Sequence, residues 1–255
     1  MTKVRVIGNT EAQPSKTKFS FLIGEIIDNE ANQNKEICRE LVLLLDPQEG
    51  KKEMEIDPAN FLRIKGIDPK IAHFLPPLTL ALWAWDKLDL EMGELALLAG
   101  DSRYTMVFAQ VAFWRGAYPV IRITQTAHRE NEPKFLCTLN VENADENRRL
   151  RQLVSDRPGF AAIDLSGREM LIDYLFELGP KWGRIMLASP VHNEITIDYY
   201  NNIHRKGTCI YSTILEDSLV FQVQNKEEMV FHLDRASRIL RNPEMSTSIA
   251  KLAGC

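Results

Sequence analysis

What most constrains this chain is the stretch from Gly93 to Thr124, GELALLAGDSRYTMVFAQVAFWRGAYPVIRIT. Glu94 to Ala99 is an apolar run of strand length, and Gly100 breaks it. Tyr104 to Trp114 has helical length with an apolar buried side, and Gly116 stops it. Pro119 to Ile123 is β-branched again. Strand, glycine turn, helix and strand within about 30 residues make a βαβ unit.

The turn of such a unit can seat a pyrophosphate on the helix N-terminus when it carries G-x-G-x-x-G. Here the six residues are Gly100, Asp101, Ser102, Arg103, Tyr104 and Thr105, and only the first glycine is present. The second glycine lets the backbone approach the phosphates; Ser102 adds a hydroxyl donor and bulk in its place. The third permits close packing of helix on strand; Thr105 stands there. Asp101 brings a negative charge toward a diphosphate, and Arg103 could offset it by pairing with phosphate. After the second strand, the acid that accepts a ribose 2′-hydroxyl is replaced by Thr124, and no carboxylate follows until Glu130. Thr124, His128 and Arg129 could suit a 2′-phosphate instead. Two readings stay open: the turn binds a dinucleotide, or it survives only as structure.

Ahead of this unit, residues 1 to 67 read as β-rich, with strands at Lys3 to Ile7, Lys18 to Ile27, Ile37 to Leu45, Glu53 to Ile56 and Asn60 to Ile64. Gly24 is a candidate bulge. This is a small partial barrel or an appended sheet. Asp68 to Leu88 reads as helical, with Asp68 and Pro69 as N-cap and first-turn pair and Pro76-Pro77 as an interruption. Trp83 and Trp85 are too close to share a helix face, so one is expected on the core and the other on a neighbouring element.

Beyond Thr124, Gln125 to Pro133 reads as a polar loop, followed by strands at Phe135 to Val141, Phe160 to Leu165, Gly183 to Ala188 and Thr208 to Thr213. Helices are expected at Asp145 to Asp156, Arg168 to Leu178 and Asn225 to Leu240, with Arg241 to Cys255 weakly specified. Regular alternation of this kind predicts an α/β fold with a doubly wound parallel sheet of order 3-2-1-4-5-6. Ligands of such sheets sit at the carboxyl ends of the strands, which makes Ser166 and Ser189 candidates by position.

Charge and cysteine usage narrow the function. A net charge of −4 argues against nucleic acid or an anionic membrane as partner. No apolar run approaches about 18 residues, so no spanning helix is expected. The first residues lack the apolar core of a signal peptide, which points to the cytoplasm. The four cysteines and five histidines are scattered with no ligand spacing, so no metal site is expected.

Taken in order, these landmarks resemble the medium-chain dehydrogenase/reductase superfamily, the zinc alcohol dehydrogenase-like proteins. Asp68 to Gly93 is similar to the family's helical lead-in, and Glu94 to Ala117 to its first strand, turn and helix ending in R-G-A. FAAIDLSG at Phe160 to Gly167, PKWGRIMLASP at Pro180 to Pro190 and DYYNNIHRKGTCIYS at Asp198 to Ser212 resemble its later strands. The resemblance implies a Rossmann domain at 68–215 binding NADP or NAD, a reduced GroES-like portion at 1–67, and a C-terminal helix and tail at 216–255 packing back on the rest. The family's Gly-His-Glu zinc segment, its catalytic cysteine and its four-cysteine lobe have no counterpart. Cys38 is the sole cysteine before Cys137, and no histidine precedes His73. The implied function is a shortened, zinc-free oxidoreductase acting on a small carbonyl, alcohol or activated alkene. The alternative is a non-catalytic Rossmann-fold relative that serves as a binding or scaffold subunit. The cofactor-binding candidates are Gly100, Ser102, Arg103, Tyr104, Thr105, Thr124, Arg129, Ser166 and Ser189. His204 is the weak catalytic candidate, since imidazole titrates near neutrality. The family commonly dimerises through its last strand, so a homodimer through Thr208 to Thr213 is implied, and a partner protein could complete the site.

Overall fold

A computed structural model describes residues 2–9, 22–26, 41–44, 53–56, 61–126, 132–155, 157, 159–189, 194–212 and 226–252. The chain divides into two compact units, Met1–Thr79 with Glu216–Ser248, and Leu80–Leu215 with Ile249–Cys255.

The first unit holds an antiparallel sheet of five strands: β1 (Thr2–Asn9), β2 (Leu22–Ile26), β3 (Leu41–Leu44), β4 (Glu53–Ile56) and β5 (Phe61–Ile64), in the order β4-β1-β2-β3-β5. All four residues of β3 are buried, so this strand is covered on both faces. The register between β1 and β2 slips between Val6 and Gly8, which puts the irregularity on β1 and not at Gly24. Gly24 instead pairs in register with both neighbours, and a Cβ there would collide with the Val4 side chain.

The lead-in departs from the single interrupted helix expected from sequence. Asp68 closes a turn, its carbonyl accepting from Ile71 and Ala72 and its Oδ1 from the Lys70 N–H. A short 3-10 turn at Ala72–Phe74 follows, and α1 runs Leu75–Lys87. Pro76 and Pro77 fall in the first turn of α1, where an N–H has no intrahelical acceptor, so they start the helix and do not break it. At the far end of the sequence, α5 (Lys226–Arg241) buries Met229, Leu233, Ala236 and Leu240 along one stripe. The stretch from Arg241 onward, unspecified by its composition, contains a further helix, α6 (Pro243–Leu252). Asn242 caps it by accepting from Glu244 and Met245 N–H groups.

The second unit is built on a parallel sheet. Its strands are β6 (Leu95–Ala99), β7 (Val120–Thr124), β8 (Leu136–Asn140), β9 (Phe160–Asp164), β10 (Arg184–Leu187) and β11 (Cys209–Ser212). The order β11-β10-β9-β6-β7-β8 is the expected 3-2-1-4-5-6 arrangement read from its other edge. The helices α2 (Arg103–Trp114), α3 (Ala144–Ser155) and α4 (Glu169–Leu178) cross over between strands. Leu97, Ile121, Ile123 and Ala162 pack with Leu150 of α3 and Leu175 of α4 on one face. Alternate residues of β7 face the other way, where Arg122 reaches Met106 of α2.

Both tryptophans of α1 are buried. Trp85 is fully enclosed and its Nε1 donates to the Phe108 carbonyl at 2.9 Å. Trp83 is 3% exposed, and its Nε1 finds no acceptor among the described residues. A helix enclosed on nearly all sides has no solvent face to separate the two rings. Among the described residues, no helix is long and apolar enough to cross a membrane.

Candidate functional site at the carboxyl edge of the parallel sheet

Strand order reverses between β6 and β9, and this opens the crevice in which ligands of doubly wound sheets sit. Three turns meet there, after β6, β7 and β9. The first begins at Gly100, whose φ of +143° few residues with a Cβ adopt. A Cβ at this position would lie 3.1 Å from Thr105 Oγ1 and 3.3 Å from the Leu165 backbone. Gly100→Ala is therefore expected to cost about 1–3 kcal/mol, read as a lowered urea midpoint at unchanged slope.

Ser102 is the N-cap of α2, in extended conformation, and accepts from the Thr105 N–H at 3.2 Å. Its Oγ also lies 3.2 Å from Thr105 Oγ1. Ser102 and Thr105, in place of the second and third glycines, thus satisfy each other and the first turn of the helix. That turn contains no acidic residue, so the positive end of the helix dipole is left uncompensated from within.

Asp101 is the centre of the site. Its Oδ1 accepts from Thr124 Oγ1, and from Thr126 Oγ1 at 3.2 Å. Its Oδ2 pairs with Arg168 Nη1 at 3.0 Å, and the same nitrogen donates to Gln125 Oε1 at 3.2 Å. Asp101 comes from the β6 turn, Thr124 from the end of β7, and Arg168 from the turn after β9. Asp101 is thus paired with a residue 67 positions away. Nothing in the local sequence signals that pairing.

Asp164 sets the third turn. It is fully buried at the end of β9 and accepts from Ser166 N–H at 3.0 Å, Ser166 Oγ at 2.6 Å and Gly167 N–H at 3.1 Å. Ser166 Oγ in turn accepts from the Arg168 N–H at 3.1 Å. Burial pushes the Asp164 carboxyl above its usual range, and the three donors pull against that rise. The chain Asp164, Ser166, Arg168, Asp101 therefore ties the β9 turn to the β6 turn.

The sequence-derived candidates separate into three groups. Gly100, Ser102, Thr105, Thr124 and Ser166 converge in this network. Thr105 and Thr124 are fully buried and Tyr104 nearly so. Ser189 follows β10 and is 7% exposed. Arg103 opens α2, but its side chain lies outside the described residues, as do His128, Arg129 and Glu130 entirely.

His204 lies elsewhere. It ends a π-helical turn, Tyr199–His204, that leads into the start of β11, and its ring stacks on Tyr200. Lys206 beside it donates to the Phe176 and Glu177 carbonyls at the C-terminus of α4. In a parallel α/β unit that is the amino edge of the sheet, opposite the crevice, so His204 takes no part in this site. Among the described residues no cluster of three or more His, Cys, Asp or Glu could hold a metal ion.

The donor set fits a dinucleotide. The N-terminus of α2 offers its positive end, the first-glycine conformation is kept, and Asp101 is neutralised by Arg168 and two hydroxyls.

No protein-family model matches this sequence, and no curated protein does. Solved structures do resemble it. A short chain alcohol dehydrogenase from Escherichia coli CFT073, in complex with its cofactor NADH, aligns over 95% of this chain and 82% of its own, with a TM-score of 0.68 and 14% identity. The quinone oxidoreductase of Thermus thermophilus, solved alone and with NADPH, covers 94% of this chain and 79% of its own, at 0.61 and 15%. Galactitol-1-phosphate dehydrogenase from Escherichia coli covers 93% and 81%, at 0.65 and 13%. This chain has the medium-chain dehydrogenase/reductase fold, a Rossmann-type sheet with a small antiparallel sheet of GroES-like type.

Proposed function

We propose that this chain is a nicotinamide-dinucleotide-binding oxidoreductase of the medium-chain type, acting without zinc on a small carbonyl, alcohol or activated alkene. The observation that carries the reading is the Gly100 turn. It keeps the left-handed backbone of the first glycine and opens a helix whose first turn is free of acids. The fold it shares with NADH- and NADPH-bound oxidoreductases supports the same reading. When bound, the nicotinamide supplies hydride transfer. The protein's part is to hold the pyrophosphate at the N-terminus of α2 and to fix the mouth of the crevice through Asp101 and Arg168. Independence from zinc is read from the sequence. With no histidine before His73 and one cysteine before Cys137, it lacks the ligand segments of zinc-dependent members.

A second reading has its own observation. Ser102 and Thr105 satisfy one another, and Asp101 is paired with Arg168, so the turn is complete without a ligand. On that reading the protein is a non-catalytic relative that binds a partner. Calorimetric titration with NADH, NADPH and their oxidised forms separates the two. Saturable binding is expected, and no heat at millimolar nucleotide would leave only the second.

A homodimer is part of the proposal. Strand β11 ends the parallel sheet, all four of its residues are exposed, and among the described residues it pairs with β10 alone. An open edge of this kind invites a second strand. Size-exclusion chromatography with light scattering is expected to give twice the chain mass at micromolar concentration. A monomer there would count against pairing through this edge.

A further inference from the structure

We propose that the parallel sheet holds one resident water between β7 and β8, bound by Thr138 and the Arg122 guanidinium on the face that α2 covers. The site is independent of nucleotide binding. Thr138 is the middle residue of β8 and 6% exposed. Its Oγ1 is buried and has no hydrogen-bond partner among the described residues. A hydroxyl taken from water without a partner is costly, and native interiors satisfy such groups with protein or with ordered water.

Register identifies the second group. Thr138 stands opposite Arg122 in the parallel pairing of β7 and β8. Its neighbours Cys137 and Leu139 belong to the opposite face, packed with Leu150 of α3 and Leu175 of α4. Thr138 therefore shares the face on which Arg122 reaches Met106 of α2. The guanidinium gives Nη1 to Met106 Sδ and Nη2 to Glu132, and its Nε is buried on the same side chain. The strands lie about 4.8 Å apart, and Thr138 Oγ1 makes no direct bond to this guanidinium. Two polar groups set a little beyond hydrogen-bond distance are the setting in which one water bridges. The chemistry of the pair suits it. A guanidinium only donates, whereas a hydroxyl donates and accepts, so the water accepts from Arg122 and exchanges either role with Thr138. A charged donor and a hydroxyl supply the two polar partners that an internal water needs.

A crystal structure of the full chain, with urea denaturation of the unmodified protein and Thr138→Val, tests this. Density for one water is expected within about 3.2 Å of Thr138 Oγ1 and of an Arg122 nitrogen. Valine keeps the volume and removes the hydroxyl, so Thr138→Val should lower the folding equilibrium constant by about threefold or more. An unbridged hydroxyl predicts the reverse, because its removal relieves an unsatisfied group. No water at this position, a direct bond from Thr138 Oγ1 to Arg122, or a raised urea midpoint in Thr138→Val overturns the assignment. If Thr138→Val does not fold, the crystal structure of the unmodified protein decides.

Discussion

Arg122→Ala is expected to lower the stability of the protein by about 3–5 kcal/mol, measured by urea denaturation followed through tryptophan fluorescence. Arg122 lies in the middle of β7 with its side chain 1% exposed, the least expected place for a guanidinium. It donates to Glu132 Oε1 at 2.5 Å and to Met106 Sδ at 3.5 Å. Removing the arginine opens a cavity beneath α2 and takes a countercharge away from the largely buried Glu132 carboxylate. The size of the effect is the cost of weakening the compensation of that buried charge, not the net worth of the pair. Replacing both partners, as in Arg122→Met with Glu132→Leu, should recover most of the loss, because a buried ion pair and an apolar pair of similar volume are close in energy. If the single variant loses less than about 1 kcal/mol, Glu132 is solvated and the pair is not the buried one described here.

Trp85→Ala should be comparably severe, at about 3–5 kcal/mol. Trp85 is the largest fully enclosed side chain among the described residues, and its indole N–H holds the Phe108 carbonyl of α2. Its removal loses apolar burial, leaves a void that the close-packed surroundings fill only in part, and cuts a link between α1 and α2. Trp85→Phe keeps most of the volume and loses the hydrogen bond, so it should cost about 1–3 kcal/mol. A thermal unfolding series of the three proteins checks the order. Near-equality of the alanine and phenylalanine variants would mean that the hydrogen bond, and not the packing, dominates.

Much of the architecture is legible in the chain because strand and helix periodicities are local. Runs such as LALLA at β6 and FAAID at β9, each followed by a glycine-bearing turn, fix the strands of the parallel sheet. The right-handed crossover then leaves one economical order for them. The failures have equally local causes. Pro76-Pro77 read as a break because their position within the helix decides their effect, and α1 starts at Leu75, well past the N-cap that Asp68 suggests in the sequence. The segment after Arg241 has too little apolar content to announce a helix, yet Asn242 caps one.

The site was legible only in part. Gly100 marks its own role, since a tight turn of this kind needs a glycine. Asp101, by contrast, looks like a flaw in the fingerprint, and His204 looks like a candidate acid or base.

Residue order alone determined the strand–turn–helix unit, the parallel order of the sheet and the scattering of cysteine and histidine, because each depends on neighbours within a few positions or on composition. Tertiary structure decided what Asp101 is. Thr124 and Arg168 lie 23 and 67 residues away from it, and only the pairing of β6 with β7 and β9 brings hydroxyl, carboxylate and guanidinium to one edge. The same pairing sends His204 to the other edge. Charge compensation acts through space over a few ångströms, and distance along the chain carries no record of it.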